Sequence, residues 1–345
     1  MFQFVLGISL LITLVSCSKA ESQTRVKFSK IALLSSKEMT IEDVYLKYPF
    51  RIRLHDSSLY VMDIHPADYY IHTFKYPSLE HQKSFMKRGE APEEFLDAEN
   101  IRLDSHGFLW ALDANKRKIV RFPQNLGEPL NNVVNLDEKL IRTLDFDFFN
   151  DSTFIVPDYT GEYRINMVNL QGEIVHRAFH IPIRSEAVKK NTPPIVLAQA
   201  WRPFLSYNPE NGILAMVTQL GQVLDIYDIK KESIVTIVGH RDHEPQFITK
   251  GNYAIPNGIM GYSDVHVGQE YIYALFWGHS FTDIKNGKIQ KEGGNRVHVF
   301  ALDGTPKIEY KLDSYITGFH IDEKNKFIIG LDVNSNQPVK KFEYE

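Results

Sequence analysis

A short strand of apolar and aromatic residues recurs six times along this chain. It reads LYVMD at 59–63, LWALD at 109–113, FIVPD at 154–158, LAMVT at 214–218, IYALF at 272–276 and IIGLD at 328–332. The copies are spaced by 50, 45, 60, 58 and 56 residues. Each is followed by a second strand ending in an apolar residue: Phe74, Phe122, Val168, Tyr227, Phe300 and Phe342. A further apolar strand precedes each pair and, except in the last unit, another follows it. Four short strands per unit, rich in Val, Ile, Phe and Tyr and separated by Asp, Asn, Gly and Pro, read as antiparallel meanders. Four-stranded sheets repeated at this spacing specify a radial array, so the expected fold is all-β, a six-bladed β-propeller of four-stranded antiparallel blades.

The last unit supplies only three strands, so an N-terminal strand has to complete the last blade and close the ring. The segment 25–34 has the composition for it, and the whole of 25–345 then forms one propeller domain. Deleting 24–34 is accordingly expected to unfold the domain.

Ahead of the propeller, residues 1–16 carry an apolar run of signal-peptide length, too short to span a bilayer as a helix. It ends in Leu14, Val15 and Ser16 before Cys17, the only cysteine of the chain. Residues 1–16 read as a lipoprotein signal peptide. Residues 17–24 read as a lipidated Cys17 with a polar tether, since the pattern resembles the lipobox of bacterial lipoproteins. More than one acyl chain gives stable anchoring, so the expected location is the cell envelope: an outer-membrane lipoprotein facing the periplasm or the cell surface. With one cysteine there is no internal disulfide and no paired-cysteine metal or redox site. A net charge of −4 without a basic block argues against a nucleic-acid partner.

Several stretches carry a family resemblance. They are YIYALF at 271–276, VHVFALDG at 297–304, YKLD at 310–313, IDEKNKFIIG at 321–330, Pro338, and the loop GEAPEEF at 89–95. Together they resemble the TolB-like six-bladed propeller lipoproteins of Bacteroidota, a family of unknown function. Ala91 and Glu93 stand where that family's loop carries glycine. The resemblance implies the fold, the lipid anchor and the envelope location, and no activity.

In a meander blade, the turn between the second and third strands and the link to the next blade lie on one face. The long connections 87–97, 183–200, 240–257 and the insert 277–295 therefore share a face, where binding residues concentrate. On it, Trp277, His279 and Phe281 are exposed by position, suited to a protein partner or to sugar stacking, or else fold back on the neighbouring blade. Arg142, Arg202 and Tyr262 stand near the starts of innermost strands, which places them at the channel mouth, a common ligand position. His240, Asp242 and His243 form the densest group of metal-ligand types, with the spacing of a helical turn but without the third ligand that a zinc site needs. Asp63, Asp113, Asp158 and Asp332 end equivalent strands, and the repetition favours turn capping over a cation ring. Asp145 and Asp147 face one side of a strand, a spacing that suits a metal or a glycosidic bond as well as chance.

No nucleophile elbow, phosphate loop or dinucleotide fingerprint occurs, and no cofactor is implied. The expected function is a non-enzymatic, lipid-anchored envelope propeller that binds a protein or glycan partner through its long-loop face. The alternative is a metal-dependent hydrolase or lyase at the channel mouth, which would need a divalent cation such as calcium.

Overall fold

The computed structural model describes residues 26–123, 132–239 and 244–345. Two strands come first, β1 (Lys30–Leu34) and β2 (Ser36–Met39). Blade 1 is β3 (Pro49–His55), β4 (Ser58–Asp63), β5 (Tyr69–Lys75) and β6 (Glu80–Lys87). Blade 2 is β7 (Ala98–Leu103), β8 (Leu109–Asp113), β9 (Lys118–Arg121) and β10 (Asn132–Asn135). Blade 3 is β11 (Asp147–Asn150), β12 (Thr153–Pro157), β13 (Ile165–Asn169) and β14 (Ile174–Ala178). The link that follows carries two helices, α1 (Glu186–Asn191) and α2 (Pro194–Ala200). Blade 4 is β15 (Pro203–Asn208), β16 (Ile213–Thr218), β17 (Val223–Asp228) and β18 (Ser233–Val238). A hairpin, β19 (Phe247–Lys250) and β20 (Tyr253–Pro256), precedes blade 5. That blade is β21 (Tyr262–Val267), β22 (Tyr271–Phe276), β23 (Gly294–Ala301) and β24 (Pro306–Ile316), with α3 (Phe281–Lys285) between its second and third strands. Blade 6 is β25 (Phe319–Asp322), β26 (Phe327–Leu331) and β27 (Val339–Glu343).

The six-bladed propeller expected from the repeat is thus the fold. The chain's N-terminal strand completes blade 6, as the missing fourth strand requires, but the strand that does so is β2, antiparallel to β27. The segment 25–34 is corrected on this point. Its strand β1 runs parallel to β24 and adds a fifth strand to the outer edge of blade 5. Alternation explains the difference: Ala32 and Leu34 pack on the apolar cluster between blades 5 and 6, which leaves Ile31 and Leu33 outward. Innermost strands touch in order around the axis, β3 with β7, β11 with β15, β15 with β21, β21 with β25, and β25 with β3.

Each second strand is buried on both faces, because a blade is packed between two neighbours and only its ends meet water. Six apolar clusters fill the six junctions. Between blades 2 and 3, for instance, Trp110, Phe146 and Phe154 meet edge to face, each burial contributing about 2 kcal/mol.

A second set of bonds ties the innermost strands together. The Asp145 carboxylate accepts from Leu205 N–H at 2.9 Å and that of Asp147 from Tyr207 N–H at 2.9 Å, joining blades 3 and 4. Ser206 Oγ accepts from Val267 N–H, Asp264 from Phe319 N–H, and Thr317 Oγ1 donates to Pro49 O. Arg102 donates to Phe146 O and, across blade 3, to Leu205 O. Burial opposes its charge, but Asp147 and Asp145 more than offset this and hold its pKa above the ordinary value. Asp145 and Asp147 are therefore used in binding blade to blade.

The strand-ending aspartates cap turns. Asp63 accepts from the backbone of Lys47, Tyr48 and His65, Asp113 from Leu96 and Lys116, Asp158 from Thr160 and Tyr163, and Asp332 from Asn334. In blades 1 and 2 the same carboxylate also fastens the incoming link, so one side chain fixes two loops of the long-loop face.

Candidate functional site

The first long connection is tightly tied down. Lys87 Nζ meets Glu94 Oε1 at 2.9 Å, Glu94 Oε2 accepts from Ala91 N–H, and Phe95 is fully buried beneath the Lys118 ammonium. A Cβ at Gly89 would meet the Glu94 carboxylate and push that side chain out of its present position. This segment supports the scaffold and offers little free chemistry.

At the channel mouth on the same face, four blades contribute polar groups. Glu99 is on β7 and Arg202 immediately precedes β15; their side chains approach to 3.5 Å, each about one-fifth exposed. Tyr159, in the turn after β12, interacts electrostatically with both. Arg51 of β3 acts on the Glu99 carboxyl as well. Burial pushes the Glu99 carboxyl up to about 7, against the pull of Arg202. Burial also raises the Tyr159 hydroxyl to about 12. Tyr159 Oη, Arg202 Nε and Thr143 Oγ1 are buried and have no hydrogen-bond partner among the described residues. Leaving such atoms unpaired costs about 1–3 kcal/mol each, so Tyr159 and Arg202, which act on each other beside Glu99, mark a place where an incoming polar group is favoured.

Of the residues expected at this mouth, the structure brings Arg142 and Arg202 together around the acids Asp97 and Glu99. Tyr262 is a correction. Its ring is almost wholly buried in the cluster between blades 4 and 5 and its hydroxyl meets His298 Nδ1 at 3.1 Å. The bulge between Tyr262 and Asp264 turns the aromatic ring outward and leaves Asp264 at the axis. Trp277 and His279 are half-buried, folded back in part as one of the two expectations had it. His279 stacks on Tyr315 at 6.1 Å, and Trp277 lies against Gly294. Glu99 and Tyr159 were not singled out by sequence. Glu99 lies in a first strand that also carries Asn100 and Arg102, so no pattern sets it apart.

The link around α1 and α2 and the hairpin β19–β20 pack together on this face. Phe247 and Ala254 pack the hairpin's inner side against Ala200 and Trp201, and Gln199 bonds both Ala254 N–H and Asn252 O. The opposite side carries Ile248 and Ile255 as a cross-strand pair beside Tyr253. These three are 58%, 44% and 66% exposed. Between hairpin and α1 lies a cleft of about 430 Å³ lined by Ile183, Val188, Trp201, Gln246, Phe247 and Asn257.

No group of three or more His, Cys, Asp or Glu converges among the described residues. His240, Asp242, His243 and Cys17 lie outside the described residues. No helix among the described residues is long and apolar enough to cross a membrane.

Residues 27–324 match the family model described as TolB-like 6-blade propeller-like. No curated protein sequence matches the chain. Among solved structures, a member of the DUF4221 family from Bacteroides vulgatus superposes with a TM-score of 0.60 at 13% identity, over 90% of this chain and 96% of that one. A Bacteroides fragilis protein whose name calls it exported gives 0.55 at 10% identity, over 90% and 93%. A catalytically inactive virginiamycin B lyase from Staphylococcus aureus, solved with quinupristin, gives 0.54 at 12%, over 90% and 99%. At these identities the likeness is one of fold.

Proposed function

The chain belongs to the TolB-like six-bladed propeller family, and from that premise we propose that it is a non-catalytic envelope propeller that binds a protein partner through its long-loop face. A lipid on Cys17 would hold it at the membrane, facing the periplasm or the cell surface. The observation that carries the binding reading is the outer side of the β19–β20 hairpin, where Ile248, Ile255 and Tyr253 stand exposed together on a hairpin anchored from beneath. Exposed apolar clusters on a rigid support are what protein interfaces use, and scattered single residues are not. The name of the Bacteroides fragilis neighbour is in keeping with the envelope part.

The test is capture from detergent-solubilised envelope with wild type and an Ile248→Lys/Ile255→Lys double variant. A partner retained by wild type and lost by the variant, with the melting temperature unchanged, supports the reading. Equal capture by both rejects the hairpin as the binding surface.

A second reading rests on a different observation. The buried, unpartnered Tyr159 Oη and Arg202 Nε beside Glu99 suit a polyhydroxylated ligand such as a glycan, which offers donors and acceptors together. Loss of glycan binding in Arg202→Met, with the hairpin variant unaffected, would favour the mouth over the hairpin.

A further inference from the structure

Below the channel mouth, the innermost strands carry two stacked layers of axial positions. The upper layer is Arg51, Asn100, Asp145, Phe204, Asp264 and Gly318. Two residues further along come Arg53, Arg102, Asp147, Ser206, His266 and His320. Register makes these six equivalent, since each pairs with the residue three before the end of the next strand's repeat: Arg53 with Tyr60, Arg102 with Trp110, Asp147 with Ile155, Ser206 with Ala215, His266 with Tyr273 and His320 with Ile329. Because the chain enters each first strand from the long-loop face, this second layer lies toward the opposite face.

The two halves of that layer differ. In blades 2, 3 and 4 the groups satisfy one another: Arg102 pairs with Asp147 and Asp145, and Ser206 accepts from Val267 N–H. In blades 5, 6 and 1, which are contiguous around the ring, the residues are His266, His320 and Arg53. Arg53 makes one hydrogen bond, from Nη1 to its own strand at Ile52 O, and no carboxylate lies within ion-pair distance of it among the described residues. The two imidazoles sit with centroids 6.3 Å apart, edge to face, and neither has a hydrogen-bond partner among the described residues. All three remain partly open to solvent. The nearby acids are engaged elsewhere. Asp264 faces Arg51 and caps Phe319 N–H, and Asp322 caps its own turn at Asn325.

We propose that Arg53, His266 and His320 form a binding site for a small oxyanion, a phosphate or carboxylate group, at the channel's second mouth. The guanidinium supplies a permanent charge and a planar pair of donors matched to an oxyanion. Burial and the neighbouring cations keep both imidazoles neutral near pH 7, so each offers one N–H rather than a second and third charge. This site is independent of the long-loop face, from which the channel separates it.

The experiment follows the imidazole Cε1–H signals of the lipid-free domain by NMR while inorganic phosphate, then sulfate and acetate, are added against sodium chloride of matched ionic strength. Substituting His266→Gln and His320→Gln in turn assigns the two signals. A saturable shift of both with phosphate or acetate, weakened at least tenfold in Arg53→Gln and partly retained in Arg53→Lys, is the expected result. Phosphate ahead of acetate identifies a phosphoryl ligand, and the reverse order a carboxylate. No saturable shift with any of the three, or equal affinity in Arg53→Gln, overturns the proposal. Should Arg53→Gln fail to fold, the phosphate-induced rise in melting temperature decides: it is expected to vanish in both histidine variants, and its survival in both overturns the site.

Discussion

Asp145 Oδ2 accepts the backbone N–H of Leu205 at 2.9 Å, sixty residues further along the chain, while its Oδ1 faces Arg102 Nη2 at 3.1 Å. One carboxylate therefore joins blades 2, 3 and 4 at the axis. Removing it leaves the Arg102 charge with only the more distant Asp147 and leaves Leu205 N–H unpaired. Breaking one partner of a buried ion pair costs about 3–5 kcal/mol, so Asp145→Ala should lose about that much stability in urea unfolding. Phe204→Leu, a nearly apolar exchange at the same layer, should lose about 1 kcal/mol. Equal losses from the two would show that the axial network adds nothing beyond packing.

The Glu99 carboxyl is raised by burial to about 7, above its ordinary value near 4.5. A group with a raised folded pKa favours the folded state fully below its unfolded pKa, and that advantage disappears as pH rises through 7. Glu99→Gln should therefore melt higher than wild type at pH 8, by about 1 kcal/mol once solvent access to the side chain is allowed for. The gap should close by pH 5. A gap that does not change between pH 5 and pH 8 would mean that the carboxyl titrates alike in both states.

The propeller is legible in the sequence because its main determinant is local and repeated. Each second strand is an apolar run, and in four of them a closing aspartate, such as Asp63 or Asp113, caps its turn as the repetition suggests. Closure by an N-terminal strand is legible for the same reason, as a strand missing from a count. The choice between β1 and β2 is not. Two consecutive apolar segments of similar composition compete for two edges, and the packing of Leu34 against Tyr310 and Phe342 decides it. The candidate site is less legible still. Tyr262 begins its strand as the residues at the mouth do, but a one-residue bulge reverses the side on which its ring emerges. Glu99, Tyr159 and the His266, His320, Arg53 half-ring are assembled from blades far apart in sequence, with no spacing that marks them.

The two N-terminal strands separate closure from reinforcement. Deleting residues through 34 removes β1, a parallel strand added outside a blade that already has four. It should lower the melting temperature by several degrees and leave one cooperative transition. Deleting residues through 39 also removes β2, and with it the pairing of Ser36, Lys37, Glu38 and Met39 with β27 and the Lys340–Glu38 ion pair. That exposes the edge of blade 6 and opens the ring. The longer deletion should yield protein that is aggregated or without a cooperative melt. If both truncations melt alike, β2 is not the closing strand in energetic terms.

His320 supplies the clearest acid-side dependence. Burial first, and then the Arg53 charge, lower its pKa to about 4, from an ordinary value of 6.5. His266 is lowered in the same direction by burial and by His320. A histidine with a depressed folded pKa is proton-poor in the folded state. The unfolded chain therefore takes up the proton first as pH falls, and stability is lost between about 6.5 and 4. Each such group adds at most about 1.4 kcal/mol per pH unit across that window. His320→Gln should flatten the fall in unfolding free energy between pH 6.5 and 4.5 while leaving the curve above pH 7 parallel to wild type. An unchanged slope in the variant would place the acid sensitivity elsewhere, with Glu309 and its His298 partner next in line.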